Sequence, residues 1–259
     1  MVERTCLENK RTERYRGFES HPHRQIRFII VMASFRRNQN LSKFQELIAE
    51  VYTLPDDRLY SVWDLVTHQQ RFTMRALKGI RKEDLKKTKL NLMIAFAWQM
   101  ATVNRLHINL EEVVWKRFPA LCSYCGKKPC SCKESKVTKR HKVVSRKSQK
   151  PNSIPEIQKM FDEIYQSDQR TAADAGVHLA EEMGEVSEAI LNYLGQHQQK
   201  QLDEIKEELA DYVSCFFGVA NSLSIDIGRE LEEMFYKGCH TCHLAPCVCN
   251  YTKVAQLQT

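Results

Sequence analysis

The residues best able to do chemistry lie between 178 and 211. The chain reads His178-Leu179-Ala180-Glu181-Glu182-Met183-Gly184-Glu185-Val186-Ser187-Glu188, and then Glu207-Glu208-Leu209-Ala210-Asp211. Glu182 and Glu185 are three residues apart, as are Glu208 and Asp211. On a helix that spacing sets two side chains about 60° apart on one surface. If the pairs face each other, four carboxylates converge and repel. A bound cation makes such a cluster stable, and ligands that are all oxygen favour Mg²⁺ or Mn²⁺. The ordinary alternative is a solvated acidic helix face. Asp211 argues against it, because Leu209, Tyr212 and Val213 surround it in a run too apolar to be all surface. A carboxylate buried there needs a partner or a metal. Gly184 sits in mid-helix, where glycine costs about 1 kcal/mol relative to alanine. That position would let a ligand or a neighbouring backbone come close.

A second chemistry is carried by cysteine. Eight of the ten cysteines fall into two groups with one spacing, C-x2-C-x4-C-x-C: Cys122, Cys125, Cys130, Cys132 and Cys239, Cys242, Cys247, Cys249. Four thiolates so close in sequence can surround one tetrahedral Zn²⁺ as a closed, structural knuckle, shaped here by Pro129 and Pro246. Two local disulfides per group are the alternative. His240 and His243 flank the second group as substitute ligands. Cys6 and Cys215 are left over, and Cys215 reads as a buried free thiol.

The elements that must position these groups are helical. Ile157, Met160, Phe161 and Ile164 recur at i, i+3, i+4, i+7. Leu179, Met183, Val186 and Ile190 mark a second helix, and Ile205, Leu209, Tyr212, Val213, Phe216 and Ala220 a third, apolar over so wide an arc that it must be enclosed. Ser224 and Asp226 are caps for a fourth, with Leu231, Met234 and Phe235 inside. Aligning Cys122 with Cys239 pairs Asn104 with Asn221. After a four-residue length difference, Gln45-Glu46-Leu47-Ile48-Ala49-Glu50-Val51-Tyr52 pairs with Gln158-Lys159-Met160-Phe161-Asp162-Glu163-Ile164-Tyr165. The chain therefore reads as all-α: two tandem helical-bundle repeats that could pack as an internal pseudo-dimer, each closed by a small four-cysteine zinc knuckle. The divisions are an extension over 1–40 that could be disordered, a first repeat over 41–132, a basic flexible linker over 133–152, a second repeat over 153–249 and a tail over 250–259.

Charge follows the same divisions. The net +7 splits into +11 over residues 1–132, +7 over 133–150 and −11 over 151–259. The acidic half suits a polyvalent cation better than nucleic acid. Apolar runs such as Phe28 to Ala33 and Leu92 to Trp98 reach at most seven residues, too short to span a membrane. Glu3, Glu8 and Glu13 without a long apolar core argue against a signal peptide, and the expected compartment is the cytoplasm.

Glu181-Glu182-x-x-Glu185 followed by Glu208-x-x-Asp211, over about 155–237 of a helical chain, resembles the MazG-like family of all-α nucleoside triphosphate pyrophosphohydrolases. The resemblance implies hydrolysis of (deoxy)nucleoside triphosphates to monophosphate and pyrophosphate. It also implies Mg²⁺ or Mn²⁺ held by Glu182, Glu185, Glu208 and Asp211, with Glu181 or Glu182 orienting or deprotonating the attacking water. Lys237 takes the place of a phosphate-contacting lysine, although the family's downstream asparagine and arginine are replaced by Gly238 and the knuckle.

In the first repeat the same four positions are Gln69, Phe72, Asn91 and Ile94, so that half cannot hold Mg²⁺. Its expected role is the packing surface that a second subunit gives dimeric relatives; a homo-oligomer remains a further possibility. Arg71, Arg75, Lys78 and Arg81 near the lost site read as a solvated basic face, or as residues that reach the triphosphate. Tyr165, Phe161 and Trp98 could stack on a base but at helical spacing are more often core. A different class of function is a nucleotide- or nucleic-acid-binding regulator. It would use the basic front half and linker residues Lys139, Arg140, His141, Lys142, Arg146 and Lys147. No aromatic residue interleaves those cations.

Overall fold

A helix begins wherever a short polar side chain can take up the first free amides. Asn40, Ser61, Asp84 and Asn109 each accept a backbone N–H three residues on and open α1 (Leu41–Leu59), α2 (Val62–Arg81), α3 (Leu85–Arg105) and α4 (Leu110–Arg117). Ser153, Thr171 and Asp226 do the same for α5 (Ile154–Tyr165), α6 (Ala172–Gln196) and α8 (Ile227–Phe235), while Gln198 precedes α7 (Gln199–Ser222). The computed structural model describes residues 33–134, 137, 140, 141, 143 and 147–249, and among these there is no β-strand. Cys6, most of the 1–40 extension, linker residues Lys139, Lys142 and Arg146 and the 250–259 tail lie outside the described residues. In each half the second and third helices pair along their lengths, the first packs on the third, and the fourth packs on the first.

One half-buried hydrogen-bond knot recurs in both halves. The Gln45 amide donates to Asn104 Oδ1 (3.0 Å) and to the Ile108 carbonyl (2.7 Å), and its oxygen accepts the Leu110 amide (3.1 Å). Asn104 Nδ2 donates back to the Gln45 carbonyl at 3.1 Å. Gln158 makes the same four bonds to Asn221, Ile225 and Ile227, at 2.9, 2.7, 3.1 and 3.1 Å. The knot ties each first helix to the turn that opens the fourth. The helix order and polar keystone thus agree with the sequence alignment of the halves.

The halves share one hydrophobic core. Helix α2 packs on α6, α4 on α7 and α8 on α3. Phe96 stacks on Phe216 with ring centres 4.3 Å apart, and the Thr73 and Tyr212 hydroxyls are hydrogen-bonded at 2.8 Å. Each cysteine group docks on the first helix of the other half. The Cys130 N–H donates to the Ile164 carbonyl (2.8 Å), and the Cys247 N–H to the Val51 carbonyl (2.7 Å). Both carbonyls are free for a local reason. Pro55 inside α1 has no N–H to give Val51, and α5 ends one residue past Ile164. Residues 33–40, placed by sequence in the extension, are ordered: Phe35 is fully buried, bonds the Phe235 carbonyl and packs edge-on against Phe44.

Candidate metal centre and its cleft

Consecutive helices α6 and α7 set the acidic residues. Glu182, Glu185 and Glu208 each place a carboxylate oxygen within 4.8 Å of the others. Glu182 Oε2 is buried without a hydrogen-bond partner. Burial, then the charges of Asp211, Glu185 and Glu208, push the Glu182 carboxyl up to about 8. Burial with Asp211 and Glu185 raises Glu208 to about 7. A cation between these oxygens would relieve both the repulsion and the orphaned acceptor, so the donor set fits Mg²⁺ or Mn²⁺.

Asp211 does not join that trio. Arg117, from the last turn of α4 in the first half, grips it with a fork: Nε to Oδ1 at 3.0 Å and Nη2 to Oδ2 at 2.5 Å. Both side chains are nearly enclosed, and Arg117 Nη1 also donates to Glu207 Oε2 at 2.8 Å. Burial raises the Asp211 carboxyl and Arg117 opposes that rise. Arg140 of the linker stands 3.7 Å from both Asp211 and Glu207, its guanidinium over the Tyr124 ring. The first half thus supplies a cation to the acidic site. Sequence spacing missed Arg117, which looks like an ordinary basic residue at a helix C-terminus.

The other sequence candidates are placed as follows. Glu181 is exposed, pairs with His178 at 3.0 Å and is not one of the trio. Lys237 is exposed and lies outside the cleft beside the trio; it precedes the cysteine group docked on α1. Gly184 has open space where a side chain would begin, so no neighbouring backbone approaches it. Cys215, expected as a buried core thiol, is half-buried and lines the cleft. Phe161 is core, Trp98 stacks on His68, and Tyr165 lines the cleft. Arg71, Lys78 and Arg81 are exposed, Arg75 lies over Phe72, and none of the four lines the cleft.

That cleft holds about 500 Å³. Glu182, Asp211, Arg170 and Tyr165 line it, together with Cys130 and Cys132 of the first cysteine group, Phe118 and Tyr124. The equivalent place in the first half is a pocket of about 100 Å³ lined by Phe72, Ile94, Trp98 and Tyr52 and walled by the second cysteine group. Gln69 and Phe72 are buried there, Asn91 bonds the Lys87 carbonyl, and Ile94 is apolar, so these positions offer no carboxylate.

The eight knuckle cysteines are free thiols in two groups of four, with all four sulfurs of a group within 4.8 Å. Sulfur pairs lie 3.8 and 3.9 Å apart in the first group and 3.5 to 3.9 Å in the second. Sulfurs bound to tetrahedral zinc at about 2.3 Å stand roughly 3.8 Å apart, whereas a disulfide needs about 2.05 Å. Backbone N–H groups of Tyr124, Cys132, Thr241 and Cys249 point at the sulfurs of Cys122, Cys130, Cys239 and Cys247, at 3.4 to 3.5 Å. The geometry fits zinc and not disulfides. His240 Nδ1 is engaged by the Tyr52 hydroxyl at 3.1 Å, and neither His240 nor His243 belongs to a four-sulfur group.

An all-helical scaffold that presents three carboxylates from two consecutive helices defines a site of the divalent-cation type. Residues 170–241, from the residue before the α6 cap through α8 into the second cysteine group, match the family model of the MazG nucleotide pyrophosphohydrolase domain. The match opens after α5, later than the likeness read from the sequence. No curated protein and no solved structure matches the chain. No helix among the described residues is long and apolar enough to cross a membrane.

Proposed function

We propose that this protein is a Mg²⁺-dependent nucleotide pyrophosphohydrolase that cleaves (deoxy)nucleoside triphosphates to monophosphate and pyrophosphate. The carrying observation is the trio Glu182, Glu185 and Glu208 around an unpartnered buried oxygen, inside the segment that matches the MazG domain. Glu182, Glu185 and Glu208 would hold the cation, with Asp211 beside them. Such a cation neutralises charge on the phosphates and acidifies an attacking water. Arg117 holds Asp211 in place and lowers the repulsion among the carboxylates. Of the two candidate bases, Glu182 has the position, since it belongs to the trio and lines the cleft, whereas Glu181 is paired with His178. Zn²⁺ in the two knuckles is structural, since four sulfurs leave no open coordination position.

In the same proposal the halves form an internal pseudo-dimer. The first half has given up cation binding and serves the second by contributing Arg117 and the first knuckle. The reciprocal knuckle contacts and the repeated Gln/Asn knot support this arrangement. The test is pyrophosphate release from a panel of canonical and modified (deoxy)nucleoside triphosphates, with and without Mg²⁺, beside Glu185→Ala. Release that needs Mg²⁺ and vanishes in the variant is expected. No release from any triphosphate, or release unchanged in Glu185→Ala, would overturn the proposal.

A further inference from the structure

Arg170 lines the cleft and forms no ion pair with the acidic site among the described residues. It stands just before the α6 cap, and its guanidinium lies flat on α7 at Gly218. A Cβ built at position 218 would come 2.5 Å from Nη2 and 3.0 Å from Nη1, so glycine is what admits the group. Nε and Nη2 are both buried and have no hydrogen-bond partner among the described residues. Two charged donors left without a partner in a half-buried guanidinium are costly unless something with acceptors meets the group. The carboxylates of the trio do not, because no ion pair joins any of them to Arg170.

Position along α7 indicates what does. Glu208, Asp211, Cys215 and Gly218 follow one another at i, i+3, i+7 and i+10, on a single helix face. Gly218 is about 10 Å beyond Asp211 along the helix axis. A nucleotide whose phosphates lie at the acidic end therefore directs its base toward Arg170. Tyr165 lines the cleft together with Arg170 and offers an aromatic side chain for stacking. A planar guanidinium fork matches two acceptors side by side. Guanine and hypoxanthine present such a pair as O6 and N7, and cytosine presents O2 and N3. Adenine sets an amino donor beside N7, which faces the fork with like polarity.

We infer that Arg170, seated on Gly218, reads the base of the bound nucleotide and selects bases with two adjacent acceptors over adenine. This inference rests on the reading of the cleft as a nucleotide site, and its test is independent of hydrolysis. Binding of GMP, IMP, CMP and AMP is measured by calorimetry on the zinc-loaded full chain without Mg²⁺, for the parent protein, Arg170→Ala and Arg170→Lys. The parent should bind GMP, IMP and CMP roughly tenfold or more tightly than AMP, the range of one bidentate base contact. Arg170→Ala should lose that preference while its AMP affinity stays put. Arg170→Lys keeps the charge but not the fork and should lose most of the preference as well. Equal binding of all four in the parent, no binding at all, or an equal loss for all four in the variants would overturn the inference; the last result would make Arg170 a phosphate contact. Base-selective binding without any pyrophosphate release would leave the inference standing and remove the pyrophosphohydrolase. Release with no base preference would do the reverse.

Discussion

Removing the guanidinium of Arg117 is the sharpest test of how the two halves cooperate. Arg117 and Asp211 are 11% and 14% exposed, and two parallel hydrogen bonds join them. Arg117→Ala strips Asp211 of that fork and leaves it beside Glu182, Glu185 and Glu208. Breaking a buried pair from one side typically costs about 3–5 kcal/mol. At about 2–4 °C per kcal/mol for a chain of this size, the metal-free variant should melt about 6–20 °C below the parent. The cluster then has one more carboxylate to offer a cation. Mg²⁺ should therefore raise the variant's Tm by more than it raises the parent's, since stabilisation by a ligand grows with its affinity for the folded state. Calorimetric melts of both proteins over a Mg²⁺ series measure this directly. A variant that melts like the parent without metal, or gains no more from Mg²⁺ than the parent does, would refute the role given to Arg117.

Further outcomes follow from the same geometry. Without metal, Glu182 and Glu208 keep protons in the folded protein up to about pH 8 and 7, while unfolded glutamates release them near 4.5. Their contribution to stability is thus complete below about pH 4.5 and fades as pH rises through 7 to 8, which urea melts across that window will read. Mg²⁺ must displace those protons, so calorimetry in buffers of different ionisation enthalpy should find about one proton released per ion at pH 7 and almost none at pH 9. Cys125→Ser should weaken hydrogen-exchange protection in α5, and Cys242→Ser in α1, because each knuckle docks on the other half. Stripping zinc should lower Tm by on the order of 10 °C or more. Gly184→Ala meets no neighbour and should add up to about 1 kcal/mol of helix stability, visible in the melt.

The carboxylates, the cysteine groups and the helices that carry them were legible because each is written in local spacing. Glu182 and Glu185, or Glu208 and Asp211, share a face by helix geometry alone, and the Gln45/Gln158 alignment found the residues of the polar knot without knowing their bonds. Asp211 shows where spacing stops. Its position among apolar residues showed that it needed a partner, but that partner lies 94 residues earlier on another helix. Nothing local distinguishes Arg117 from Lys116 beside it. The crossed docking of the knuckles was equally hidden, since a free carbonyl at Val51 gains meaning only when Cys247 is known to approach it. Arg170 gave no signal at all; its isolation appears only once Gly218 is seen beneath it.

Arg117 has its counterpart, by the register of the cysteine groups, in Met234. In an assembly of two identical chains such a difference could not exist, because every substitution is written into both sites at once. Carrying both halves on one chain removes that constraint and keeps the partner present at a fixed high local concentration whatever the protein's abundance. One cleft can lose its acids, fill with Phe72 and Ile94 and specialise as a buttress, while the other acquires a cation its twin never sees. Dilution then cannot separate the acidic cleft from the half that supplies its arginine.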